Sequence, residues 1–259
     1  QGRKVMFTGT PCQIAGLKKF LRKDYSNLLT VDFVCHGVPS PLVWRKYLKE
    51  TAEDIRAKRA VGKNTVTLSL SDLPVITGIS FRDKTNGWKK FGFSLRYTAS
   101  KAVENSVSVS AITEEGLFLE PFTENHFMRA FLADYILRPS CYACPSKLGK
   151  SNSDITIGDL WGVDRFNPSI DDDKGLSLVM LHNDKASAIL AKCNLEDVDY
   201  LSAFNSNPSI ERSVSIPVNR TYFWHLLHKG KSVGDILEMC HSSKAAARLR
   251  RFVYRKLKV

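Results

Sequence analysis

Four of the six cysteines stand where thiols can act together. Cys12 follows Gly9-Thr10-Pro11, which breaks a short apolar strand before helical periodicity begins. A sulfur there sits among free backbone N–H groups and at the positive end of a helix dipole, which favours thiolate. Cys35 closes a second apolar run, Leu28 to Val34. In parallel α/β units the carboxyl ends of strands share one edge, so Cys12 and Cys35 are expected to be neighbours. Cys141-Tyr142-Ala143-Cys144-Pro145 adds a C-x-x-C pair in a loop, with proline after the second cysteine as in many cluster-binding runs. Together these give four thiolates, enough for one 4Fe-4S cluster. Two other chemistries use the same atoms. A tetrahedral structural zinc takes four cysteines equally well, and a thioredoxin-like dithiol uses C-x-x-C, although there the motif opens a helix. Cys193 and Cys240 have no second cysteine at ligand spacing and read as buried thiols in helical settings.

A second concentration of signal is Ser153-Asp154-Ile155-Thr156-Ile157-Gly158-Asp159-Leu160-Trp161-Gly162. Its glycines permit close backbone approach to a flat ligand, with Asp159 as a polar group and Trp161 as a stacking one; a strand and turn with Trp161 in the core is the plainer alternative. Asp171-Asp172-Asp173 reads as a solvated acidic loop rather than a cation site. His36 reads as a histidine hydrogen-bonded at a strand end, and no catalytic residue is assigned. Lys147 and Lys150 flank the C-x-x-C and either neutralise charge there or lie in solvent.

These residues need a scaffold. Lys4 to Thr8, Gln13 to Leu21 and Leu28 to Val34 read as strand, helix and strand, a βαβ unit with a parallel pair. A helix is expected over Trp44 to Ala57. Then Val66–Leu70, Ile79–Phe81, Phe93–Tyr97 and Val107–Val109 are strand-like, with Asn86-Gly87 as a turn between two of them. After a helix near Asn125 to Leu132 come strands at Ile155–Gly158 and Leu176–His182. Helices are expected near Lys185–Lys192, Tyr222–His228 and Val233–Met239. The expected class is α/β of mixed (α+β) character: a mixed sheet with an N-terminal βαβ unit, a β-rich antiparallel insertion and C-terminal helices. The expected partition is a core over 1–182 carrying the insertion at 65–119, then a helical region over 183–259.

The bulk composition of the 259 residues, 43% hydrophobic and 25% charged, is that of a folded globular chain and excludes disorder as the default. No apolar run has the roughly 18 residues of a membrane span, and no signal-peptide order is present, so a cytoplasmic location is expected. The formal charge of +12 is uneven. Lys244, Arg248, Arg250, Arg251, Arg255, Lys256 and Lys258 crowd the end of the chain and leave only about +5 elsewhere. With Leu249, Phe252, Val253 and Leu257 at helical spacing, this tail is amphipathic; it reads either as a solvated C-terminal helix or as one that docks on its own domain, on a partner or peripherally on a membrane, and no nucleic-acid partner is expected. The start at Gln1-Gly2-Arg3-Lys4, without Met or lead-in, suggests that an N-terminal part is missing.

Phe7-Thr8-Gly9-Thr10-Pro11-Cys12-Gln13, Phe33-Val34-Cys35-His36-Gly37, the C-x-x-C-Pro run and the Ser153–Gly162 run together resemble, in order, the C-terminal domain of the coenzyme F-420 hydrogenase/dehydrogenase beta-subunit family. The resemblance covers roughly residues 1 to 182. It implies a flavin/iron-sulfur oxidoreductase with a 4Fe-4S cluster on Cys12, Cys35, Cys141 and Cys144, and FAD against Thr8, Gly9, Thr10, Gly158, Asp159, Trp161 and Gly162. It further implies electron transfer between one-electron carriers and a hydride acceptor. A ferredoxin-like donor, or a ferredoxin domain in the missing N-terminal region, is the implied partner. The alternative from another class is a zinc-stapled scaffold module without redox activity.

Overall fold

The computed structural model describes residues 2–60, 73–105 and 108–241. The strand expected at Val66–Leu70, Val107, and the basic tail from Lys244 to Lys258 lie outside the described residues. The class is mixed α/β, as expected. By its contacts the chain divides into two units, 1–38 with 138–215 and 39–137 with 216–259.

The first unit is built on a four-stranded sheet whose strands, in spatial order, are β1 (Val5–Thr8), β2 (Leu28–Phe33), β6 (Ile155–Asp159) and β7 (Ser177–Leu181). β1 and β2 are parallel, joined by α1 (Pro11–Leu21), so the βαβ unit is present. α1 starts sharply because Pro11 presets its first turn while Thr10 and Gln13 form a capping box. β6 pairs parallel to β2, with Val31 opposite Ile155 and Asp32 opposite Thr156. β7 pairs antiparallel to β6, which makes the sheet mixed. Leu160, Val163, Leu178, Ala203 and Ile210 form the core under one end of this sheet. They come from the turn after β6, from α4 (Val163–Phe166), from β7, and from α6 (Tyr200–Ser206) with the 3-10 turn that follows it. α5 (Asp184–Leu190) completes the unit.

β2 is unusual in what it hides. Its buried positions are Thr30 and Asp32, at 0% and 2% exposure. Each polar group must therefore find a partner, and each finds one on or beside β6. Thr30 donates through both N and Oγ1 to Asp154 Oδ2, at 2.7 and 2.8 Å. Two residues on, the same types are exchanged: Thr156 Oγ1 donates to Asp32 Oδ1.

The second unit carries α2 (Pro41–Ala60), an antiparallel sheet of β3 (Val75–Asp83), β4 (Gly92–Asn105) and β5 (Ser108–Pro121), then α3 (His126–Leu132), α7 (Arg220–His228) and α8 (Val233–His241). Trp44 and Tyr47 of α2 pack on Phe81, Phe93 and Phe127 in tilted and edge-on aromatic contacts. Asn125, fully buried, caps α3 by accepting from Met128 N at 3.0 Å, and donates to Tyr47 Oη at 2.6 Å.

Candidate functional site

Cys12, Cys35, Cys141 and Cys144 all line one cavity of about 270 Å³ inside the first unit. Cys12 is the second residue of α1, and its Sγ lies 3.1 Å from Thr10 Oγ1. Cys35 follows the end of β2, where Val34 N still donates to Ile157 O of β6 at 2.8 Å. Cys141 and Cys144 are held by a 3-10 turn over Pro139–Ala143, where the sequence suggested plain loop. The turn forms because Pro139 presets its start and Cys141 N closes on Arg138 O at 2.9 Å. Val38 N donates to Cys141 Sγ at 3.4 Å, and Cys144 N donates to Ser213 Oγ at 2.9 Å. Cys193, by contrast, is exposed in the turn after α5, not buried as expected; the periodicity that suggested a longer helix ends with α5 at Leu190. Cys240 is buried in α8.

The cavity has one inward-reaching cation. Lys147, 9% exposed, donates through Nζ to Cys35 O and Ser209 O, each at 2.6 Å. Lys150 is exposed. Burial pulls the Lys147 ammonium below its ordinary range, while the nearby Cys35, Cys144 and Cys141 pull it back up. Burial likewise pushes the Cys35 thiol up to about 11, opposed by Lys147 and reinforced by Cys141, Cys12 and Cys144. A metal taken up there must displace a proton from Cys35. Among the described residues, no three His, Cys, Asp or Glu side chains are gathered tightly enough to grip a single metal ion.

The other expected binding residues stand outside the cavity lining. Thr8 ends β1, with Gly9 and Thr10 just beyond it; Gly158 and Asp159 end β6. Since β1, β2 and β6 are parallel, these residues share with Cys35 the carboxyl edge of the sheet, where such sheets take ligands. The space at Gly158 is filled by protein: a Cβ there would stand 2.7 Å from Val34 Cγ2. Leu160 turns into the core, Asp159 and Trp161 beside it are half-buried, and Gly162 caps α4 at a φ of +73°. His36 lines the cavity. Asp171–Asp173 form an exposed turn closed by Asx hydrogen bonds, with Asp172 paired to Lys174 at 3.2 Å.

Three cavity residues carry a signal that the sequence reading passed over: Asp32, Thr156 and His182. Thr156 Oγ1 lies 2.8 Å from His182 Nε2, so a chain runs from the buried Asp32 through a hydroxyl to an imidazole. The available clue was a Thr-x-Asp pair inside an otherwise apolar strand.

The first unit is thus a mixed α/β sheet with four cysteines lining one cavity beside its parallel strand ends. Residues 2–206 match the family described as the C terminus of the beta subunit of coenzyme F420 hydrogenase/dehydrogenase, and the chain belongs to that family. Membership makes it an oxidoreductase-type subunit domain. No curated protein and no solved structure matches the chain. Among the described residues no helix is long and apolar enough to cross a membrane.

Proposed function

We propose that this chain is the cluster- and flavin-holding part of an electron-transferring oxidoreductase. Cys12, Cys35, Cys141 and Cys144 hold one 4Fe-4S cluster, and FAD lies against Thr8-Gly9-Thr10 and Gly158-Asp159-Leu160-Trp161-Gly162 at the same sheet edge. The observation that carries this reading is that three separate stretches of chain deliver four thiols to one cavity. The two rival fillings differ in geometry: a zinc ion about 2.3 Å from each of four sulfurs would draw them to within about 3.8 Å of one another, whereas a cubane gives each thiolate its own iron. When bound, the cluster and FAD supply one-electron and two-electron chemistry. The chain's own contribution is local: Lys147, held on the Cys35 carbonyl, brings a cation near the cysteines, and Val38 N steadies Cys141. The donor belongs to the ferredoxin class, and the proposed location is the cytoplasm.

Anaerobic reconstitution with iron and sulfide tests the reading. About four irons per chain and visible absorption are expected. Cys141→Ser loses most of that iron, whereas the Cys193→Ser/Cys240→Ser double variant keeps it. Zinc uptake without iron uptake overturns the assignment, and so does iron loss in the double variant.

A further inference from the structure

Two Thr–Asp pairs bridge β2 to β6 and its approach, and they end differently. In the first, Asp154 is closed off on all sides: Thr30 holds Oδ2, while Asn183 Nδ2 and Lys185 Nζ hold Oδ1 at 2.7 and 2.9 Å. That pair is a structural clasp. In the second, Asp32 is no more exposed, yet its partner Thr156 passes the chain outward to His182, an exposed side chain on the wall of the cysteine cavity. A hydroxyl has one proton. Because Thr156 Oγ1 gives that proton to Asp32, it meets His182 Nε2 as an acceptor, so Nε2 must carry the hydrogen. Nδ1 is then the nitrogen left to exchange protons; it lies on the Gly149 side of an exposed ring, where a Cβ on that glycine would stand 4.0 Å from it, in ordinary van der Waals contact.

We propose that His182 is the proton-exchange group for an organic two-electron acceptor bound at the exposed rim of this cavity, beside the cluster, with Thr156 and Asp32 as the positioning residues that fix its Nε2–H tautomer. The inference rests on the electron-transfer reading above. In the step, the acceptor takes two electrons, delivered singly by two equivalents of a reduced one-electron iron–sulfur carrier, both of which become oxidised. The Nδ1–H bond of imidazolium His182 breaks and a new bond to hydrogen forms on the acceptor. The products are the acceptor with one added hydrogen and two electrons, neutral His182 and two oxidised carriers. Being exposed, His182 recovers its proton from water. The charged groups around it are Asp32 behind Thr156, Asp154, whose carbonyl accepts from His182 N, with its partner Lys185, and Lys147 across the cavity.

The test reads the tautomer directly, without any cofactor. The chain is labelled with ¹⁵N-histidine and its imidazole nitrogens are followed by NMR, with the His182 signals assigned by their loss in His182→Gln. We expect neutral His182 as the Nε2–H tautomer in the wild type and in Thr156→Ser, and a tautomer mixture in Thr156→Val and Asp32→Asn. A wild-type Nδ1–H tautomer, or no change in either disrupting variant, overturns the proposal. Amide spectra identify any variant that fails to fold, and His182→Gln, at an exposed position, supplies the second arm. In reconstituted protein it keeps iron and flavin while electron transfer to the acceptor falls at least tenfold, partly restored by added imidazole. Unchanged turnover also overturns the proposal. Failure to take up iron at all strikes the electron-transfer reading instead, and leaves the tautomer result to stand or fall alone.

Discussion

At the scale of single residues, Asp154 shows how much one buried carboxylate can fix. It joins β2, the start of β6 and α5, and Lys185 bridges onward to Leu28 O at 2.6 Å. Burial by itself would raise its carboxyl; hydrogen bonds from Lys185, Thr30 and Asn183 outweigh that and hold it down to about 2. Its folded-state value lies below its unfolded one, so the clasp contributes fully above about pH 4 and is lost as pH falls toward 2. With allowance for solvent around the one-third-exposed Lys185, the contribution is on the order of 1–2 kcal/mol. Urea unfolding at pH 6 and pH 2.5 should show wild type losing more stability than Asp154→Asn, and equal losses would remove the clasp from the account. Asp32, on β2, is as buried as Asp154 but lines the cavity, which is why these two carboxylates are assigned different work.

At the scale of elements, β6 and the segment after β2 approach closely at Gly158, where a Cβ would stand 2.7 Å from Val34 Cγ2. Gly158→Ala forces that side chain off its place on the cavity wall and should cost about 1–3 kcal/mol. Val34→Ala alone should also destabilise, yet the double variant should recover part of the Gly158→Ala loss, a coupling that a double-mutant cycle reads from urea midpoints. Strict additivity would mean that the glycine is there for some other reason. The elements themselves were largely legible. Strong periodicity and Gly-Thr-Pro punctuation gave β1, α1 and β2 nearly at their observed ends. α6 was not read, because seven residues capped by Asp199 and stopped before Pro208 are too short for a helical period to stand out. Thr156 and His182 were missed for a different reason. Their link to Asp32 depends on the β2–β6–β7 register, and no spacing along one strand encodes a pairing with a strand 124 residues away. The cysteines escaped that limit since thiols are rare enough that residue type alone marked them.

At the scale of the whole chain, the cavity belongs to one unit even though its residues come from both sides of a long excursion. Residues 39–137 leave the first unit after Val38 and return at Arg138. Those two residues are joined to each other, Arg138 N donating to Val38 O at 2.9 Å, and Cys141 Sγ accepts from Val38 N directly beside that junction. The ends of the excursion are therefore already at loop-closing distance, and closing a short loop costs less entropy than closing a long one. Both strands that flank the junction in sequence, β2 and β6, hydrogen-bond to each other within the first unit. Replacing 39–137 by about three Gly/Ser residues, and ending the chain at Ser215, should therefore yield a protein that unfolds cooperatively. It should take up iron in an anaerobic reconstitution to the level of the intact chain, and retain the acid transition set by Asp154. Circular dichroism on heating, together with iron and sulfide content, reads both halves of the expectation. A chain that folds but binds no iron would mean that residues of 39–137 or 216–259 complete the cluster site, whereas a chain with no cooperative transition would mean that the cavity-bearing unit cannot stand without the rest.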